Sequence, residues 1–306
     1  MINDILQNKS LKLTVEVQAF KLVIITSFLV FNIFSGKCQS HDLTYGEKIF
    51  RLTALIYTYS GHSSYQASSF FYSSLEGNFL ISNRHVLFPK EHYPDSIIIN
   101  LKKNSKKTGK VDWKPIKIDK EYLHNNLKIH KNKNIDVAAL DMNKLLKSLD
   151  GTDLFFAYAV SIPDSISFNN INPEIGDDAL ILGYPKGYYD SYNKIPIMKS
   201  GVISSFYGVD FNNLPCFLID SKLFHGSSGS VVISKPQPVK IKDGLPMFAT
   251  KKDFIFLGIF SGEPYIYGER KETDDEISIK KEKFDLGIVW YPKVINQLDY
   301  ASEIIK

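Results

Sequence analysis

Short apolar runs separated by turn residues follow one another along the chain from about residue 43 onward. Most of them are rich in Ile, Val, Phe and Tyr, the residue types that favour strands, and some pieces are apolar without a break. Regularly spaced runs of this kind predict an all-β barrel or sandwich. The predicted strands cover 50–59, 68–72, 78–82, 96–101, 136–140, 178–182, 201–207, 216–219, 230–233, 254–260 and 285–290.

Helical periodicity is confined to two places. Apolar residues at helical spacing after Pro292 predict a C-terminal helix over about 292–305, and a short helix is predicted over 143–149, before Asp150-Gly151. Clusters of Ser, Asn, Pro and charged residues predict a seam near 161–177 and long surface loops at 235–253 and 263–283.

The N-terminal segment, residues 1–40, has a different character from the rest. Its apolar run over 22–34 lies between Lys21 and the small residues Ser35 and Gly36. The run is shorter than the roughly 20 residues that a membrane span needs, and it is typical of the apolar centre of a secretory signal peptide. We therefore predict a secreted or periplasmic protein. An uncleaved anchor, which would be the chain's contact with a membrane, and a buried strand are the alternatives.

Composition and charge exclude several classes of function. The 306 residues carry a formal net charge of +4, and 13% of them are aromatic, as in an ordinary globular protein. The lysine-rich stretch over 102–120 is interpreted as a solvated hairpin, so no nucleic-acid partner is predicted. The histidines lack metal-ligand spacing and no phosphate-binding loop is present, so neither a metal nor a cofactor is expected. Whether Cys38 and Cys216 pair is left open.

Three segments could supply nucleophilic catalysis. Ser228 lies in Gly226-Ser227-Ser228-Gly229-Ser230 between two apolar runs, where small residues allow close approach to a carbonyl. His85 follows an apolar strand, and Asp136 opens Asp-Val-Ala-Ala-Leu. Each alone is more typical of a turn or of a satisfied core residue. Together they stand in the order His, Asp, Ser, which differs from the order in subtilisins and in α/β-hydrolases.

The motifs around these residues resemble those of the trypsin-like serine peptidases, most of all the bacterial secreted and HtrA-type protease domains without a PDZ domain. Ser-Asn-Arg-His-Val at 82–86, Asp-Val-Ala-Ala-Leu at 136–140 and Gly-Ser-Ser-Gly-Ser at 226–230 carry the resemblance, with support from 182–185, 200–204 and 257–262. It implies a peptidase domain over 41–306 with two antiparallel six-stranded barrels of the chymotrypsin fold, at about 45–160 and 170–290. The active site would lie between them.

The resemblance also implies a role for each site residue. His85, Asp136 and Ser228 would form the catalytic triad of a serine endopeptidase, and the amides of Gly226 and Ser228 its oxyanion hole. Ser261 and Gly262 would pair with the main chain of a protein or peptide substrate.

Two positions depart from the family pattern or bear on specificity. Ser227 replaces the aspartate that captures a new N-terminus in digestive members, so activation by that route is not expected. Lys222, with His225 nearby, stands at the base of the implied primary pocket. It would favour acidic side chains, or pair with Asp220 and have no effect. The alternatives to a peptidase are an esterase and a catalytically silent peptide-binding protein of the same fold.

Overall fold

The computed structural model describes residues 52–104, 111–149, 160–161, 173–242, 245–273, 276–283 and 285–305. The predicted signal peptide and Cys38 lie outside these ranges. No helix in the described part of the chain is long and apolar enough to cross a membrane.

Strands make up most of the described chain, which confirms the predicted all-β class. The helices are α1 (Arg84–Leu87), α2 (Lys120–Asn126), α3 (Asn143–Ser148) and α4 (Ala301–Ile304), and 3-10 helices cover Pro89–Glu91, Pro185–Gly187 and Pro292–Gln297. The strands are β1 (Thr53–Ser60), β2 (Ser63–Ser74), β3 (Gly77–Ser82), β4 (Ser96–Asn104), β5 (Val111–Asp119), β6 (Leu127–His130), β7 (Ala138–Asp141), β8 (Val160–Ser161), β9 (Asp178–Gly183), β10 (Ile197–Ile203), β11 (Cys216–Asp220), β12 (Val231–Ser234), β13 (Gln237–Lys242), β14 (Leu245–Asp253), β15 (Phe256–Gly262), β16 (Tyr265–Thr273), β17 (Glu276–Lys283), β18 (Leu286–Trp290) and β19 (Leu298–Tyr300).

The first half of the chain, together with the C-terminal strand β19, forms a nine-stranded sheet in the order β19-β6-β7-β3-β2-β1-β4-β5, with β8 alongside β2. Apart from the β2–β8 pair, its neighbours are antiparallel. One face covers an apolar core that includes Leu80, Ile97, Ile99 and Leu140, all fully buried. Ile97, Ile99 and Leu101 of β4 share this face, because successive side chains of a strand point to opposite sides.

The second half forms a closed barrel in the order β10-β11-β18-β15-β12-β9, as predicted. Closure leaves no unpaired edge, and its interior is filled by side chains such as Phe217, Ile219 and Val232. A further core, separate from those of the first sheet and of the barrel, joins the two halves. In it, Phe70 of β2 meets Phe256 of β15 edge to face at 5.4 Å between ring centroids. The cleft described below lies along this junction.

The C-terminal helix is shorter than its sequence pattern predicts. Residues Pro292–Gln297 form a 3-10 helix, and Leu298–Tyr300 pair with β6 as a strand, so only Ala301–Ile304 are α-helical. The pairing with β6 supplies main-chain hydrogen bonds that compete with a continuous helix. The short helix predicted over 143–149 is confirmed as α3.

The two predicted surface loops contain paired strands. Within 235–253 the structure has the hairpin β13–β14, and within 263–283 it has β16–β17. High charge and scattered prolines suggested loops, whereas cross-strand pairing decides the backbone. In the lysine-rich hairpin, Lys102 is 4% exposed, and its ammonium donates to the main-chain carbonyl of Thr53 at 2.6 Å. Burial holds the pKa of Lys102 well below its usual range.

Candidate active site

His85 is held by main-chain contacts at the end of β3. It is the second residue of α1, and its amide donates to Oδ1 of Asp136 at 2.9 Å. The side chain of Asn83, just before α1, donates to the carbonyl of Asp136 at 2.8 Å. These two bonds attach the segment before β7 to the start of α1, so the histidine and the aspartate are placed as one unit.

The imidazole of His85 has a defined orientation. Its Nδ1 lies 2.7 Å from Oδ2 of Asp136, while the side chain remains about half exposed to the cleft. A carboxylate can only accept, so Nδ1 carries the proton in the neutral ring and Nε2 is left as an acceptor. This is the tautomer that a general base needs.

The carboxylate of Asp136 takes part in a third hydrogen bond, which it accepts from the hydroxyl of Ser261 at 2.5 Å. Ser261 reaches it because of an irregularity in β15. Phe260 pairs with Val289 and Gly262 with Ile288, so Ser261 is the extra residue of a β-bulge. A bulge changes the direction of a side chain. Here it turns the Ser261 hydroxyl of the closed barrel toward the carboxylate of Asp136, which lies just before β7 of the first sheet.

Ser228 lies in a tight turn against the same bulge. Its hydroxyl donates to the main-chain carbonyl of Ser261 at 3.1 Å, rather than to His85. The next amide, that of Gly229, donates to Phe260 at 2.9 Å. Gly229 has φ +80°, and a Cβ there would come within 2.2 Å of the carbonyl of Ser68. The turn therefore requires glycine at this position.

The amides of Gly226 and Ser228 make no hydrogen bond within the described part of the chain. Their directions follow from the carbonyls that share their peptide planes. The carbonyl of His225 accepts from the amide of Lys186 at 2.6 Å, and that of Ser227 accepts from Ser230 at 3.0 Å. Since C=O and N–H point in opposite directions in a trans peptide, both free amides point away from these partners. Two free donors beside a serine hydroxyl are suited to bind an oxyanion.

A cleft of about 410 Å³ connects these groups. His85, Asp136 and Ser228 line it together with four apolar side chains and with His225, Ser261, Gly262 and Glu263. The apolar side chains are Leu223, Phe224, Phe260 and Ile288. Space is open over Gly262, where a Cβ would meet no atom within 4 Å. A chain lying along this strand would therefore meet no side chain at that position.

Lys222 stands apart from the other residues singled out in the sequence. It is exposed and does not line the cleft, whereas its neighbour Leu223 is 4% exposed and does.

The sequence analysis did not predict the four apolar side chains that line the cleft. The sequence around a strand residue such as Ile288 does not indicate which cavity its side chain faces. Among the described residues, no cluster of side chains suits a metal ion.

No protein-family model and no curated protein matches the chain. Solved structures of serine proteases do show a likeness. The HtrA-type protease AlgW, solved with a tripeptide, has 16% identity and a TM-score of 0.41, with 81% of this chain covered and 58% of AlgW. The protease Anisep from Arthrobacter nicotinovorans has 14% identity and a TM-score of 0.45, with 80% and 92% covered. An inactivated protease paralogue of the scabies mite has 17% identity and a TM-score of 0.42, with 81% and 93% covered. At sequence identities this low, the likeness concerns the fold alone.

Proposed function

We propose that this chain is a serine endopeptidase that cleaves protein or peptide chains through an acyl-enzyme intermediate. The observation that supports this most is the orientation of His85 by Asp136 in a cleft that Ser228 also lines, with two amides in the Ser228 turn that make no hydrogen bond within the described part of the chain. A binding protein has no physical need for an oriented imidazole beside a nucleophile and unpaired donors.

The reaction follows from these positions. On substrate binding, the Ser228 hydroxyl rotates from the Ser261 carbonyl toward Nε2 of His85, which takes its proton as Oγ attacks the scissile carbonyl. The amides of Gly226 and Ser228 receive the negative charge that develops on the carbonyl oxygen. His85 then returns the proton to the leaving amine, and water hydrolyses the acyl-enzyme by the same steps. Asp136 stays ionised and stabilises the imidazolium.

The cleft also indicates what side chain it accepts. Its walls are formed by Leu223, Phe224, Phe260 and Ile288, with Glu263 among the polar residues. An apolar side chain buried here gains transfer free energy, whereas a carboxylate loses hydration and meets Glu263. We therefore propose a preference for apolar side chains at the cleavage site. Export, proposed from residues 22–34, would place the substrates outside the cytoplasm.

The decisive experiment reacts the purified chain with a fluorophosphonate probe and, separately, with unfolded casein. Ser228→Ala should abolish both labelling and cleavage. Ser230→Ala is the matched control, because its hydroxyl, in the same turn, is buried without a hydrogen-bond partner in the described structure. The control should keep both signals. Labelling without cleavage would favour the esterase, and a folded wild type that neither labels nor cleaves would favour the silent binding protein.

A further inference from the structure

Ser68 connects the first sheet to the turn that carries the nucleophile. It lies in β2 and is fully buried, at 0% exposure. Its hydroxyl donates to the carbonyl of Gly226 at 2.7 Å and accepts from the amide of Tyr184 at 2.8 Å. One hydroxyl thereby bridges two segments of the second half of the chain, 158 and 116 residues away in sequence.

The main chain of Ser68 adds one more contact with the second half of the chain and one within the first sheet. Its amide donates to the carbonyl of Ser228 at 3.0 Å, and its own carbonyl accepts from the hydroxyl of Ser82 at 2.8 Å. Ser68 therefore bonds to the carbonyls of Gly226 and Ser228, the two residues of the turn whose amides make no hydrogen bond within the described part of the chain. Fixing these carbonyls restricts the rotation of the peptide units on the far side of Gly226 and Ser228.

The partner segment, residues 184–186, packs directly on Gly226. A Cβ on Gly226 would lie 2.8 Å from the carbonyl of Tyr184 and 2.9 Å from the amide of Lys186. That same Lys186 amide holds the carbonyl of His225, which sets the direction of the Gly226 amide. The Ser68 hydroxyl thus holds Gly226 and, through Tyr184, the segment that orients it.

We propose that Ser68 is a positioning residue whose hydroxyl aligns the oxyanion-binding amide of Gly226, while its main-chain amide holds the carbonyl of Ser228. It touches neither the substrate nor the reacting atoms, and it acts through the turn. The proposal rests on the proposed peptidase function, because it assigns a structural cause to the orientation of that enzyme's oxyanion hole. Removing the hydroxyl leaves the amide of Tyr184 buried and unpaired and takes a partner from the carbonyl of Gly226. We therefore expect the turn to shift until these groups find other partners.

The kinetic test compares Ser68→Ala with Ser69→Ala, using a peptide substrate that the wild type cleaves. Ser69 is the matched control because it is adjacent and fully buried, and its hydroxyl donates to Ala54 within the first sheet at 2.9 Å. We expect Ser68→Ala to lower kcat about 10- to 100-fold with KM changed less than about twofold, since misaligned oxyanion donors affect the transition state above all. Ser69→Ala should keep kcat within about twofold of wild type.

A second measurement does not depend on activity. Amide hydrogen exchange should be faster in Ser68→Ala than in Ser69→Ala for peptides covering 183–188 and 224–230, and equal elsewhere. A wild type that cleaves no substrate would refute the proposed function and leave exchange as the test of Ser68. An active wild type with unchanged kcat in Ser68→Ala, an equal loss in Ser69→Ala, or unchanged exchange in the two peptides would overturn the positioning role.

Discussion

Glycine and serine have complementary effects in the turn over 226–230. Gly226 and Gly229 both have positive φ, and a Cβ on either would collide with main-chain atoms of neighbouring segments. The serines between and beyond them carry small hydroxyl groups that fit the remaining space, and Ser227 is 2% exposed. The small residues bring the backbone close to β2 and to the 184–186 segment, so that the turn is defined by hydrogen bonds.

The side-chain preference of the cleft can be tested at single residues. On a panel of peptides that differ only at the cleavage site, we expect kcat/KM for Leu or Phe to exceed that for Glu at least about 10-fold, because four apolar side chains and Glu263 line the cleft. Lys222→Ala should leave the Leu-to-Glu ratio within about twofold of wild type, since Lys222 is exposed outside the cleft. A wild-type preference for Glu that Lys222→Ala removes would instead establish the acidic preference that the sequence allows.

At the scale of single elements, short irregular segments place the groups that we propose as catalytic. α1 spans only Arg84–Leu87, and the bulge in β15 is a single residue, Ser261. Such features depend on particular side-chain contacts rather than on propensity. Next to His85, the buried guanidinium of Arg84 donates to Glu91 at 2.8 and 2.6 Å and to the carbonyl of His130 at 2.6 Å. This network holds α1 against the 3-10 helix over Pro89–Glu91 and against the end of β6.

The Arg84–Glu91 pair gives a pH-dependent prediction. The hydrogen bonds from Arg84 lower the pKa of Glu91 below its usual value of 4.5. Stability from a carboxylate with a lowered pKa is present above the unfolded pKa and is lost as pH falls through the folded one. Because Glu91 is 42% exposed, we expect Glu91→Gln to cost only about 1 kcal/mol at pH 7, and less below pH 4.5.

Urea unfolding of wild type and Glu91→Gln at pH 7 and at pH 3.5 measures this difference directly. Glu121→Gln is the control, since Glu121 is exposed and makes no ion pair within the described chain. The control should show no pH-dependent difference from wild type. A Glu91→Gln difference that is the same at both pH values would rule out the charged pair as its cause.

Over the whole molecule, sequence patterns predict some features and miss others for physical reasons. Short β-rich runs predict the class of fold, because they depend on residues that are neighbours in sequence. Local motifs single out His85, Asp136 and Ser228, which line one cleft, and their catalytic roles stay a proposal. The bridging contacts of Ser68 join segments more than a hundred residues apart, and no local pattern encodes such a distance. The available signal was the pair Ser68 and Ser69, which directly precedes three aromatic residues in β2, since a hydroxyl that becomes buried needs a partner. The hairpins β13–β14 and β16–β17 were missed because their charged composition is typical of loops.

Cys216 reports on whether the two halves stay joined in solution. It carries a free thiol in the core shared by both halves, at 2% exposure, and burial raises its pKa to about 11. In a Cys38→Ser background, we therefore expect no native thiol to react with Ellman's reagent at pH 8, and one to react in denaturant. Adding Ser63→Cys, at an exposed site, should introduce one fast-reacting thiol and show that the reagent is effective. Because the thiol must first reach solvent, its slow reaction measures the opening of the junction along which the cleft lies. If Cys216 reacted as fast as the residue introduced at position 63, the junction would be open, and the contacts of Ser68 across it would not persist.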